Sequence, residues 1–131
     1  MASFLKPLAD STATLVLRNQ RTGTIVADRL LPALDSASRR TGLLKHTGLS
    51  DREAMLIAPT NAIHTFFMKF PIDVAFVTRD GAILKICAAM PAWRIAAAWR
   101  AHGVVEMAAG AMARTGTRVG DRLLIVGPQD M

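Results

Sequence analysis

The stretch Ile72-Asp73-Val74-Ala75-Phe76-Val77-Thr78-Arg79-Asp80-Gly81-Ala82-Ile83-Leu84-Lys85-Ile86-Cys87-Ala88-Ala89-Met90 reads as a β-hairpin and decides the fold class. Two apolar runs, 72–78 and 83–90, flank Arg79-Asp80-Gly81-Ala82. Asp-Gly is the favoured centre of a two-residue type I′ turn, in which both residues take positive φ. Such a turn predicts Val77 opposite Leu84, Ala75 opposite Ile86 and Asp73 opposite Ala88. One face then carries Val77, Ala75, Leu84, Ile86, Ala88 and Met90, with Asp73 among them. The other carries Phe76, Val74, Ile72, Cys87 and Lys85. Both faces are largely apolar, so the strand pair is expected to be covered on both sides.

Outward from the hairpin, short strands are predicted over 12–18, 24–27, 53–58, 104–107 and 123–126. Turns fall at 19–23 and at Gly120-Asp121, and Pro32 is expected to break the chain. Three helical pieces are predicted. The first runs from an N-cap at Asp35 or Ser36 through Arg40, with Gly42 as its stop. The second spans 92–101 behind Pro91, and the third is a short turn at 110–115. This pattern predicts a mainly β fold, a compact antiparallel β-sandwich or barrel with one or two short helices. Residues 1–12 read as a flexible lead-in and 13–127 as a single β-rich domain.

The chain has 131 residues, enough to bury a core without staples. Its 51% hydrophobic content excludes intrinsic disorder. No apolar run is long enough to span a bilayer. The N-terminal residues lack the basic and apolar regions of a signal peptide, so a cytoplasmic location is expected, or export if the N-terminus has been trimmed. The single cysteine, Cys87, forbids an intrachain disulfide and fits a reducing compartment. The net charge of +6 favours acidic partners, although the cations are scattered in ones and twos.

Within 64–77 the chemically pointed residues crowd together. His64 precedes Thr65, Phe66 and Phe67 at a loop-to-strand junction, where an imidazole serves as anchor, proton shuttle or backbone donor. Asp73, placed on an apolar face, must be paired or hydrogen-bonded. It reads either as a clamp on backbone N–H groups or as a carboxylate at the rim of a pocket. Trp93, Arg94, Trp99 and Arg100 alternate aromatic and basic groups, the texture of a stacking platform or of a helix packed through Trp93. Paired cysteines and the histidine spacings of metal sites are missing, so no metal and no cofactor is expected. No nucleophile elbow or phosphate-binding glycine loop is present.

His64-Thr65-Phe66-Phe67-Met68-Lys69-Phe70-Pro71-Ile72-Asp73, followed by Phe76-Val77, Asp80-Gly81 and Pro91-Ala92-Trp93-Arg94, resembles the signature of a bacterial and archaeal family called domain of unknown function 192. Arg40-Thr41-Gly42-Leu43-Leu44, Val105-Glu106-Met107-Ala108-Ala109-Gly110 and Gly120-Asp121 resemble its other motifs, in one order over roughly residues 14–126. The resemblance implies a single β-rich domain and no established activity. It marks His64, Pro71, Asp73, Trp93 and Glu106 as positions to test. The chain departs from the pattern at Lys45-His46, where many relatives carry an arginine and an acidic residue.

The expectation is a small β-domain that binds a small ligand, of anionic class, or a partner protein. The site would lie near His64, Asp73 and Trp93, with Arg94, Phe67 and Arg40 contributing. Two alternatives stay open: a hydrolase-like enzyme with His64 and Asp73 as an acid/base pair, and a nucleic-acid-binding module. A homodimer is compatible with an apolar hairpin face left for a neighbour to cover.

Overall fold

The computed structural model describes residues 4–5, 15–35, 46 and 48–127. The predicted helix through Arg40, and Arg40 itself, lie outside the described residues. The described residues form ten strands and one short helix: β1 (Val16–Asn19), β2 (Ile25–Ala27), β3 (Arg29–Ala33), β4 (Glu53–Ile57), β5 (Ala62–His64), β6 (Ile72–Val77), β7 (Ile83–Met90), β8 (Ile95–Ala97), β9 (Gly103–Ala108), α1 (Ala111–Arg114) and β10 (Leu123–Val126).

The strands form three sheets, ordered β10-β1-β2, β3-β4-β9-β6-β7 and β5-β8. None closes into a barrel, and the mainly β prediction holds in its open, layered form. Pairing is antiparallel except between β3 and β4, which run parallel. Pro32 lies within β3 rather than breaking the chain. It sits on an outer strand, where a missing N–H costs least.

The three inner strands of the five-stranded sheet, β4, β9 and β6, are buried on both faces. Leu17, Val26, Leu30, Leu123 and Ile125 meet Leu56, Ala75, Val77, Val105 and Met107 in one core. Met55, Ile57, Ile72, Val74, Phe76 and Val104 form a second core on the opposite face. Ile63, Ala96 and Ala98 pack against that second core from the layer that contains β5 and β8. Every residue of β6 is buried, as the two apolar faces of its sequence require. Within the expected lead-in, Phe4 is buried in the first core, and its N–H donates to the Arg79 carbonyl at 3.1 Å.

The hairpin forms, but its turn and register differ from the prediction. Gly81 alone has positive φ in the turn, at 89°, and Thr78 N–H donates to the Ala82 carbonyl at 2.9 Å. The loop therefore holds three residues, Arg79, Asp80 and Gly81, with glycine at the left-handed position. The Thr78 hydroxyl bonds Asp80 and accepts from Ala82 N–H, which favours this closure. A Cβ at Gly81 would collide with the Leu123 carbonyl oxygen, so the position demands glycine twice over. Val77 consequently faces Ile83, not Leu84. A bulge then restores Ala75 opposite Ile86. A second irregularity between Ile72 and Val74 leaves Ile72 opposite Met90 and removes the expected Asp73–Ala88 pairing. Met90 is thereby carried to the second core. β7 is an outer strand with its middle half exposed, so within the hairpin only β6 is covered on both faces.

The predicted helix over 92–101 is absent. Trp93 takes φ 65°, and residues 95–97 form β8 against β5. Glycine-free, alanine-rich sequence here has good helix propensity, but cross-strand bonds to residues 62–65 prevail over it.

Candidate functional site

Thr65 organises the most unusual part of the surface. It is 1% exposed and joins two loops that are far apart in sequence. Its N–H donates to the Arg94 carbonyl at 2.8 Å, and its carbonyl accepts from Trp93 N–H at 3.0 Å and Met68 N–H at 3.1 Å. Its hydroxyl donates to the Pro91 carbonyl at 2.7 Å and accepts from Arg94 N–H at 2.9 Å. Residues 65–68 and 91–94 are thus tied through one side chain and one peptide.

The knot holds two aromatic residues in a backbone conformation that bulky side chains avoid. Phe67 and Trp93 both have φ 65°. Such positions cost about 1–3 kcal/mol each and persist where surrounding bonds over-determine them. Both rings nevertheless point outward, 70% and 56% exposed. They meet edge to face with centroids 4.6 Å apart. Phe66 stacks on Trp93 at 5.7 Å and on His64 at 4.8 Å. The exposed His64 accepts the Phe66 N–H through Nδ1 at 3.2 Å, which fixes the imidazole plane. Ile95, 70% exposed, lies opposite His64 in the β5–β8 ribbon, and Trp99 is 84% exposed further along. His64, Phe66, Phe67 and Trp93 together form an aromatic ledge. Arg94 follows Trp93 directly and is exposed.

Asp73 lies elsewhere in chemical terms. It is 1% exposed, and its Oδ1 accepts from Ala89 N–H at 2.8 Å and Gly110 N–H at 3.1 Å. Its Oδ2 accepts from Met112 N–H at 3.0 Å. The carboxylate therefore pins the β7 bulge, where Ala89 has φ 47°, to the start of α1. Among the described residues no hydrogen bond joins His64 to Asp73. The structure brings His64, Phe67, Trp93 and Arg94 to one ledge and places Asp73 in the clamp that its sequence context also allowed. Arg40 lies outside the described residues.

Two polar features have surroundings that the sequence did not show. Asp121 is buried and accepts from Asn19 Nδ2 at 2.8 Å, from Arg21 Nε at 2.6 Å and Nη2 at 3.0 Å, and from Arg118 N–H at 3.0 Å. These bonds, the Arg21 guanidinium foremost, hold its carboxyl well below the usual range. The turn signal and the family motif at Gly120-Asp121 marked that residue, but not its partners. The other feature is Glu106, buried in the middle of β9, where burial pushes its carboxyl up to about 7. The family resemblance marked Glu106 as a position to test, and a lone glutamate in the run Val104-Val105-Glu106-Met107 was the local sign of its burial. No group of three or more metal-ligating side chains clusters among the described residues. No helix among them is long and apolar enough to cross a membrane.

The family described as uncharacterised ACR matches residues 17–125 of the chain. No curated protein matches it. A protein of unknown function from Novosphingobium aromaticivorans is similar in structure, with a TM-score of 0.72 and 24% identity over 84% of this chain and 82% of that one. A protein from Sinorhizobium meliloti described as a "putative transcription regulator" is also similar, with a TM-score of 0.74 and 22% identity over 88% of this chain and 97% of that one. At these identities the likeness is one of fold.

Proposed function

This chain belongs to the domain of unknown function 192 family, which brings no activity with it, and we propose that it is a binding domain. Its ligand is a small anion with a flat apolar body, held on the aromatic ledge. The carrying observation is that Phe67 and Trp93 are both kept in left-handed backbone while their rings stay exposed. Strain of that kind marks functional positions more often than stable packing. Phe67 and Trp93 would supply the apolar contact, His64 a hydrogen bond through its second ring nitrogen, and Arg94 the countercharge. The buried, fully engaged Asp73 supports a positioning role for that residue and gives no support to an acid/base pair with His64.

The test uses 1-anilinonaphthalene-8-sulfonate, an anionic aromatic probe, titrated into folded protein. Saturable binding is expected, weakened about tenfold or more by Phe67→Ala and by Trp93→Ala. Val119→Ala, at another exposed apolar side chain, should leave it unchanged. Equal binding by all three variants would reject the ledge as the site.

A second reading rests on Trp93, Arg94, Trp99 and Arg100 in a chain of net charge +6. Bases of a single strand could stack on such a surface, each worth about 1–3 kcal/mol. The description of the Sinorhizobium relative is compatible with that reading. It requires retention on a polyanion that falls steeply as salt rises, and absence of binding at low salt rules it out.

A further inference from the structure

An open cleft of about 380 Å³ lies among three turns of the chain. Gln20 and Arg21 line it from the β1–β2 turn, Ala82 from the hairpin turn, and Gly120, Asp121 and Arg122 from the loop before β10. Backbone bonds fix these walls. Gln20 N–H donates to the Arg122 carbonyl at 2.9 Å, and Gly120 N–H donates to the Ile83 carbonyl at 2.9 Å. The buried Asp121 carboxylate engages one edge of the Arg21 guanidinium, through Nε at 2.6 Å and Nη2 at 3.0 Å. Arg21 Nη2 also donates to the Gly116 carbonyl at 2.7 Å. Arg122 donates to Asp80 through Nη2 at 2.9 Å. Among the described residues, Nη1 of Arg21, Nε and Nη1 of Arg122 and the Gln20 carboxamide make no hydrogen bond.

Clamping the turns together accounts for Asp121. It does not account for two arginines on one cleft. Both side chains are half-exposed, and ion pairs so exposed add little to stability. A planar guanidinium held along one edge is pre-oriented and keeps its other N–H groups for an oxyanion. Arg79 and Arg118, exposed in the flanking turns, have no ion pair among the described residues. Four arginines in these turns thus face two aspartates, Asp80 and Asp121, and the excess charge is positive. We propose that this cleft binds a compact phosphomonoester, its phosphoryl group gripped by Arg21 and Arg122 with an amide donor from Gln20. A carboxylate has two oxygens and one charge, enough for one guanidinium. A phosphoryl group has three terminal oxygens and up to two charges, enough for both arginines and the carboxamide. The cleft is larger than the phosphoryl group alone, which leaves room for a small body beside Ala82 and Gly120. No residue of the aromatic ledge lines it, so either site can fail without the other.

The probe is glycerol 3-phosphate, titrated by calorimetry at constant ionic strength and about pH 8, where the phosphoryl group is a dianion. Glycerol, acetate and inorganic phosphate are the comparison ligands. Saturable binding is expected, at least about tenfold tighter than that of acetate, with glycerol inert and inorganic phosphate weaker than the ester. Arg122→Gln should weaken it about tenfold or more. Arg52→Gln removes the same charge and a similarly exposed ion pair, with Asp28, outside the cleft, and should leave binding unchanged. Gln20→Ala removes an exposed side chain that holds no hydrogen bond among the described residues, so the variant should fold as wild type does. It should weaken binding about threefold or more, and it serves if the Arg122 variant does not fold. No binding by wild type, equal binding by wild type and the cleft variant, equal weakening by Arg52→Gln, or acetate or glycerol matching the ester would each overturn the proposal. Inorganic phosphate binding as tightly as the ester would overturn the ester in favour of the free ion.

Discussion

Two short hydrogen bonds join Thr65 and Arg94, besides a longer one of 3.4 Å from the Thr65 hydroxyl to the Arg94 carbonyl. Thr65 N–H donates to the Arg94 carbonyl at 2.8 Å, and Arg94 N–H donates to the Thr65 hydroxyl oxygen at 2.9 Å. The first bond belongs to the backbone and the second to one side-chain atom. Thr65→Val keeps the shape and removes the second, along with the bond to the Pro91 carbonyl. It leaves Arg94 N–H without its partner. A loss of about 1–3 kcal/mol is expected in urea denaturation. Binding of the aromatic anion should weaken as well, because Trp93 lies between the two anchored residues.

Phe67→Gly tests whether the left-handed backbone is strained. Glycine adopts positive φ freely, and the 70% exposed ring contributes little burial. The variant should be about as stable as wild type or up to about 1 kcal/mol more stable, while binding the aromatic anion less well. A clear loss of stability in chemical denaturation would show that the ring packs more usefully than its exposure indicates.

Asp73→Asn should be among the more damaging single-atom changes. Two oxygens now receive three backbone N–H groups, from Ala89, Gly110 and Met112. An amide presents N–H where one of those donors points, leaving a buried donor unpaired. A cost of about 2–3 kcal/mol is expected from urea unfolding, without change in the secondary structure seen by circular dichroism.

Glu106 and Asp121 impose opposite pH dependences. The Glu106 carboxyl is raised from 4.5 to about 7, so the unfolded chain ionises first as pH rises. Stability should fall between about pH 4.5 and 7, by up to about 3 kcal/mol, and level off above. Asp121 is depressed below its ordinary 3.8, so its contribution is present above that value and lost as pH falls below it. The stability maximum should therefore lie near pH 4–5. Glu106→Gln should remove the decline on the alkaline side and raise stability at neutral pH. A flat profile for wild type between pH 4.5 and 7 would contradict the burial effect.

Much of the fold was legible because its signals are local. Alternating and continuous apolar runs located β4, β6, β7, β9 and β10, and the double-faced apolarity of 72–77 announced a strand buried on both sides. What escaped depends on contacts distant in sequence. The Ala88-Ala89 bulge leaves no mark in composition, since two alanines fit either register. It forms because Asp73 captures Ala89 N–H across the strand pair. The region 92–101 has helical composition, and only its bonds to Thr65 and its pairing with β5 turn it into a ledge and a strand. For the site, residue types pointed to His64, Phe67, Trp93 and Arg94 together. Separating Asp73 from them required knowing where its two oxygens point. Glu106 was marked as a position to test, but its depth of burial is a property of the packed sheet.

The two ends of the five-stranded sheet share a protective consequence. A long, flat, unpaired strand is a template for a second chain to extend, and chains joined that way aggregate. β7 is bent by irregularities near both ends and carries the exposed Lys85 between them. β3 carries Pro32, which offers no N–H to a newcomer. Each outer strand thus resists addition of another copy, which leaves the domain free to show apolar rings on its ledge without inviting sheet-to-sheet growth.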